Sequence, residues 1–241
     1  GNALLMGIDT FSPSHNAENA PLRMSVQDVV RVNNERIVTG NIWSGTLKIG
    51  DTLYFSPSGS IASLKAFKSW PEVGAPKTVA SAGESVGLIL DTQIFSERGD
   101  VISHENVPPL WLSRMQATLV WLDRQVLQQG DTLTMRIGIQ EIAAEIQHIG
   151  NGVLNWHDIG EVTLKLRGIA IVDTPIRCAA LSRFVLARKD GTVCAAGFID
   201  TEHAAALEEI KAKGALSDDL KKILTKAMEE FRVAHKEFFT A

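Results

Sequence analysis

The sequence holds only two cysteines, Cys178 and Cys194, too few for a disulfide framework. Both read as buried small residues in a reducing compartment rather than as a bridge or a metal pair. No apolar run approaches the roughly 20 residues that span a bilayer, and no basic segment followed by an apolar stretch marks a secretory signal. Together these absences predict a cytoplasmic protein without membrane contact. An excess of positive charge is also missing. The net charge is -4 and the pI is near 5.9, so nucleic-acid binding is not expected. No stretch has the form G-x-x-x-x-G-K-[ST], whose backbone amides and lysine surround nucleotide phosphates, and no guanine-reading Asn-Lys-x-Asp occurs. Nucleotide hydrolysis is therefore not expected of these residues.

What is present is an ordinary globular composition, 45% hydrophobic and 22% charged over 241 residues, enough for one large domain or two to three small ones. The chain is organised around residues Val38 to Leu53. Ile37, Thr39, Asn41 and Trp43 alternate with Val38, Gly40, Ile42 and Ser44, the period of two of a strand with distinct faces. Ser44-Gly45 is turn chemistry, and Thr46 to Lys48 is expected to return as the second arm of a hairpin. Gly40, inside a strand, marks a bulge, a barrel bend or a close backbone contact. Gly1 is not an initiator methionine, and the abrupt Leu4-Leu5-Met6 predicts a piece of a longer protein with material upstream.

Residues 1–20, polar and rich in Ser, Thr, Asn and Pro, read as a linker. Strands are expected at 21–32, 37–44, 46–48, 52–55, 61–67, 85–90 and 101–103, the spacing of a closed barrel or sandwich. Val107-Pro108-Pro109 is a stiff joint, so a first domain is placed at 21–106 and a second at 110–200. The second has expected strands at 112–121, 132–137, 140–148, 161–166, 183–187 and 192–199, and Asp190-Gly191 is its strongest hairpin signal. From Thr201 the residues become helix formers. Gly214 ends one helix, Ser217 caps the next, and Leu220, Ile223, Leu224, Ala227, Met228, Phe231, Ala234 and Phe238 form one stripe. Residues 201–241 are thus expected to be a helical hairpin. The stripe over 217–238 packs on the second barrel or first helix, or serves for self-association or partner docking.

Few residues suggest chemistry. His148 and His157 near Asp158 sketch a metal site without a third ligand. Gly150-Asn151-Gly152 could form a phosphate nest, but a turn between strands is simpler. Ser182 lacks a G-x-S-x-G context. Trp43, Trp70, Trp111, Trp121 and Trp156 lack the basic stripe of a base-stacking surface and are assigned to barrel cores and barrel–barrel contacts. Arg183, Arg188 and Lys189 read as a solvated edge. No catalytic, cofactor-binding or metal-binding residue is assigned.

The pattern Gly-x-Ile-x-Ser-Gly-x-Leu-Lys-x-Gly-Asp at 40–51 resembles the second-domain hairpin of translation-factor-type GTPases, which include elongation factor Tu and the sulfate adenylyltransferase large subunit. Ala82-Gly83-Glu84-Ser85-Val86-Gly87-Leu88 and Arg98-Gly99-Asp100-Val101-Ile102 resemble the strand pair that closes that barrel. Gln116 to Asp123, Met135-Arg136-Ile137-Gly138 and Asp158-Ile159-Gly160-Glu161-Val162 are similar to the third domain of the sulfate adenylyltransferase large subunit. Phe184-Val185-Leu186 with Thr192 to Gly197 resembles the shared closing hairpin, with Cys194 and Ala195 departing from its usual Val-Gly-Ala-Gly. The resemblance covers about Leu5 to Ile199. It implies a mainly β chain of two consecutive closed barrels of the elongation factor Tu domain 2 and domain 3 type. It also implies a non-catalytic coupling and docking role, a GTPase domain upstream that holds GTP and Mg2+, and a small catalytic subunit as partner, in an assembly making adenylylsulfate from ATP and sulfate. Two alternatives stay open: a translation-factor fragment binding aminoacyl-tRNA or ribosome, and a free-standing double-barrel interaction module.

Overall fold

A computed structural model describes residues 17–32, 35–68 and 76–200. The expected helical tail at 201–241, most of the linker at 1–20, and Trp70 lie outside the described residues.

The first half carries β1 (Arg23–Val32), β2 (Glu35–Ser44), β3 (Thr46–Lys48), β4 (Thr52–Ser56), β5 (Ser60–Lys68), β6 (Val79–Ser81), β7 (Ser85–Leu90) and β8 (Val101–His104). The second half carries β9 (Leu110–Trp121), β10 (Thr132–Ile137), β11 (Gln140–Ile149), β12 (Ile159–Val172), a short 3-10 turn at Ala179–Leu181, β13 (Arg183–Ala187) and β14 (Val193–Ile199). Two closed six-stranded barrels result, ordered β1-β2-β7-β5-β4-β8 and β10-β11-β12-β9-β14-β13. Mainly β architecture with two consecutive closed barrels matches the expectation.

Alternation builds both cores. In β10, Leu133, Met135 and Ile137 are buried while Thr132, Thr134 and Arg136 face outward. The first core gathers Met24, Val26, Ile42, Leu53, Phe55, Leu64, Leu88 and Ile102. The second gathers Leu119, Trp121, Met135, Ile146, Leu164, Leu186 and Ile199. Each fully buried aliphatic side chain stabilises its barrel by about 1.5–3 kcal/mol relative to exposure. Closure needs bends, and Gly40 sits at one of them. A Cβ there would lie 1.8 Å from the Ser25 carbonyl oxygen, beside the register shift between Val26 and Asp28.

Three expectations are corrected. Residues 38–48 do not form a hairpin. β2 pairs with β1 and β7, while β3 pairs with β6 in a separate two-stranded sheet. Gly45 alone separates β2 from β3, and its amide and carbonyl go to Ala17 and Ala82, so the chain turns a corner there. The strands following Gly83 and Gly99 are not partners of each other: β7 lies between β2 and β5, and β8 closes the barrel between β4 and β1. Finally, β12 runs on to Val172 because Ala170, Ile171 and Val172 pair with Leu112, Trp111 and Leu110 across a register shift. The Asp190-Gly191 hairpin forms between β13 and β14 as expected.

Candidate functional site

The residues that do most to organise the two barrels lie on the seam between them. Arg23 opens β1 and Asp173 follows β12, and both side chains are fully buried. The Arg23 Nε donates to Asp173 Oδ2 at 2.6 Å. Its Nη1 donates to the carbonyls of Leu22 at 2.7 Å and Val107 at 2.9 Å. The proline joint is thus tied to the first strand by a guanidinium. Nη2 is buried without a hydrogen-bond partner. Burial lowers the Arg23 pKa below its ordinary value, with the Asp173 carboxylate opposing that shift. Asp173 is itself fixed, its Oδ1 accepting from the Thr174 amide and its own amide donating to Leu181.

Around this pair the seam is apolar. Val101 of β8, Ile171 of β12, Cys178 and Leu181 form a buried cluster, with Trp43, Trp111 and Ala180 packed against it. Tyr54 of β4 stacks with Trp111 of β9 at 6.3 Å between centroids. The Trp111 indole donates to Ser56 Oγ at 3.2 Å. Gly138, at φ 56°, receives the edge of Trp43, and a Cβ there would lie 2.4 Å from that ring. Gln140 completes the seam. Its amide donates to the Ile171 carbonyl at 2.9 Å and accepts from the Ile171 amide at 2.8 Å. It occupies the place of a strand neighbour where the pairing of β11 with β12 has ended at Leu166. Beside it opens a cleft of about 390 Å³ lined by Pro57, Arg98 and Asp100 from one barrel and Gln140, Glu141 and Ile171 from the other. Burial raises the Asp100 pKa against hydrogen bonds from Glu97 and Ser96.

The residues singled out from sequence are scattered. His148 is exposed on β11. His157 packs against the Trp156 ring at 4.0 Å, and Asp158 accepts from the Asn155 amide. Among the described residues no three His, Cys, Asp or Glu side chains converge as a metal site would require. The Gly150 and Gly152 amides go to Glu161 and Ile149 carbonyls, as in a strand turn. Ser182 is buried and donates to the Ala179 carbonyl. Arg188 is paired with Asp123 at 2.6 Å, while Arg183 and Lys189 are exposed. Trp121 lies in the second core and donates to the Gln125 carbonyl, and Trp43 and Trp111 make the barrel–barrel contact. Trp156 corrects its assignment: it is 51% exposed, with the Arg124 guanidinium 5.6 Å from its ring centre. Burial raises both thiol pKa values, Cys194 to about 11.

The seam itself was not legible as a site. Its one signal was a charge beside an apolar run, Arg23 after Leu22 and Asp173 after Ile171-Val172. Among the described residues no helix is long and apolar enough to cross a membrane.

No protein-family model matches this sequence. Curated proteins do. Sulfate adenylyltransferase subunit 1 of Rhizobium meliloti is 28% identical over 87% of this chain and 44% of its own length. The same-named protein of Cellvibrio japonicus is 29% identical over 72% of this chain and 37% of its own length. Over most of its length the chain is similar to proteins named sulfate adenylyltransferase subunit 1. The bifunctional enzyme NodQ of a Rhizobium species is 26% identical over 83% of this chain and 33% of its length. The chain therefore spans a third to under half of the relatives it matches. Among solved structures, Sup35 complexed with GMPPNP superposes with a TM-score of 0.67 at 18% identity, over 83% of this chain and 51% of that one. That likeness is one of fold: two closed barrels of translation-factor type.

Proposed function

We propose that these residues are the second and third domains of the GTP-binding subunit of a cytoplasmic sulfate adenylyltransferase, a non-catalytic pair that couples and docks. The observation that carries this reading is the sequence relation to proteins named subunit 1 over most of this chain but under half of theirs. The residues of this chain do not fit a guanine nucleotide, since they include no phosphate loop. GTP and Mg2+ belong, on this reading, to a domain that precedes the barrels. The barrels' contribution is mechanical. Apolar packing of Val101, Ile171, Cys178 and Leu181 closes the seam, and the buried Arg23–Asp173 pair fixes its register. With Arg23 and Asp173 at its centre, the seam holds the two barrels as one body, able to pass a displacement at one barrel to a surface on the other.

Light scattering on an equimolar mixture of this chain with the matching small subunit tests the reading. The expected result is a complex whose mass equals the sum, and two separate species would overturn it. A translation-factor role predicts instead salt-dependent retention of aminoacyl-tRNA on a filter, with log affinity falling linearly with log salt.

A further inference from the structure

Two opposite charges line the cleft between the barrels without forming an ion pair with each other. Arg98 and Asp100 stand on either side of Gly99, in the turn that leads into β8. That turn is seated against the second barrel, since a Cβ on Gly99 would lie 3.8 Å from Gln140 Cγ. It is also clasped from within. Asp100 Oδ2 accepts from Ser96 Oγ at 2.9 Å and from the Glu97 amide at 3.0 Å. The other oxygen, Oδ1, makes no hydrogen bond to any described residue, although the side chain is half-buried. Arg98 has a single long bond, from Nη1 to the Gln27 carbonyl at 3.4 Å, so most of its N–H groups are unused by the protein. Glu141, the remaining charged group at the cleft, is already paired with Arg136. The wall from the second barrel is aliphatic, with Ile139, Ile142 and Ile169, and Ile169 is 48% exposed.

We propose that this cleft binds a small zwitterion of the α-amino acid class with a branched aliphatic side chain. Its ammonium meets Asp100 Oδ1 and its carboxylate meets Arg98, both as charge-assisted hydrogen bonds, while its side chain lies on the isoleucines. Charge decides the class. A phosphate-like anion would gain Arg98 but face Asp100 and Glu141, and a simple cation would gain Asp100 but face Arg98. A ligand carrying both charges meets each group with its opposite. Size agrees, because about 390 Å³ is near the lower end of the roughly 300–1,000 Å³ of small-molecule sites, where a single amino acid fits better than a nucleotide. Burial raises the Asp100 pKa, and an adjacent ammonium would offset that by favouring the ionised form. The charged groups come from one barrel and the aliphatic wall from the other, so the bound molecule ties the two together. This inference is independent of the functional reading above.

The test titrates the full chain with L-leucine and follows its backbone amides by NMR. Saturable shifts are expected at Gly99 and Gln140. Isocaproate, which keeps only the carboxylate, and isoamylamine, which keeps only the ammonium, are each expected to bind at least tenfold more weakly. Arg98→Gln alters an exposed position, and Asp100→Asn keeps an oxygen for Ser96 and Glu97. Each should raise Kd for L-leucine at least tenfold, while Lys65→Gln, which does not line the cleft, should change it no more than twofold. The side-chain carboxyl carbon of Asp100 in the unaltered chain gives a readout free of folding effects, and its pKa is expected to fall when L-leucine is added. The absence of saturable shifts would overturn the inference. Equal binding of either singly charged analogue, or affinity retained by both cleft variants, would overturn it as well. No second subunit enters these measurements, so their failure leaves the functional reading standing.

Discussion

Two faces of the second barrel present apolar groups outward, and only one of them is covered among the described residues. The seam face, with Ile171, Leu181 and Trp111, lies against the first barrel. The other is an outward stripe running from Ile159 of β12 across Val120 of β9 to Ala196 and Phe198 of β14, and its Ile159 and Phe198 stay exposed. They differ in kind as well as in cover. The seam contains a buried ion pair, a glycine shaped around a tryptophan ring, and a glutamine that satisfies a strand end. The stripe contains none of these and keeps its charges at the rim. A surface that is permanently covered can hold buried charges only as satisfied pairs, as Arg23 and Asp173 are. The exposed stripe keeps its charges in water. The contrast separates an apolar face that the fold covers from one that it leaves in water.

The largest effect should come from breaking the seam's charge pair. Asp173→Ala leaves Arg23 buried and uncompensated, and urea denaturation should show a loss of about 3–5 kcal/mol. Replacing both partners, Arg23→Met with Asp173→Leu, should recover most of that loss, because the desolvated charges disappear together. A double variant as unstable as Asp173→Ala alone would mean that the loss comes from the hydrogen bonds the pair makes and not from an unpaired buried charge. Next comes shape. Gly138→Ala sets a Cβ against Trp43 at a backbone angle unfavourable to any residue with a side chain. Left-handed strain and overpacking together should cost about 2–4 kcal/mol. Thermal melts should show this loss to be non-additive with Trp43→Ala, since the two positions touch.

The thiols give a third test, of pH dependence. Burial raises the Cys194 pKa from 9.0 to about 11. In the folded protein the neutral thiol is therefore favoured, and between those two values the native state binds more protons than the unfolded one. Stability should fall as pH rises through that window, by up to about 3 kcal/mol at 1.36 kcal/mol per pKa unit. Denaturant midpoints at pH 8 and pH 11 should differ less in Cys194→Ala than in the unaltered chain. Cys178 sits in the seam cluster and reports on it directly. It should resist Ellman's reagent in the native protein and become reactive in Asp173→Ala.

Much of the architecture was legible because it is local. Period-two alternation located most strands of both barrels, and Asp190-Gly191 located the β13–β14 hairpin. Gly40 announced a close approach of backbone, and the structure supplies Ser25 as the approaching strand. What sequence could not supply was pairing between segments without a shared local signal. Thr46–Lys48 looks like the return arm of a hairpin, yet its partner is the three-residue β6, too short to show alternation. Arg23 and Asp173 are 150 residues apart, and no periodicity links an arginine after one leucine to an aspartate after one valine. Of the tryptophans assigned to barrel cores and barrel–barrel contacts, Trp121 lies in a core and Trp43 and Trp111 at the seam, while Trp156 lies at the surface beside Arg124. The candidate site was therefore hidden: it is made of contacts between barrels, while the sequence signals lay within them.

The smallest expected effect is the one that keeps the two faces distinct. Phe198→Arg places a charge where the native side chain is already more than half exposed. Its neighbours across the sheet are Thr118 and Arg183, so the new arginine meets water and one like charge rather than a core. Exposed substitutions of this kind usually change stability by no more than about 0.5 kcal/mol. Differential scanning calorimetry should find the melting temperature of Phe198→Arg close to that of the unaltered chain, in contrast to Asp173→Ala. A large drop would show that Phe198 contributes to the fold. The outer stripe would then be a second face on which the fold depends, and the distinction between a covered face and one left in water would fail at the most exposed aromatic of the second barrel.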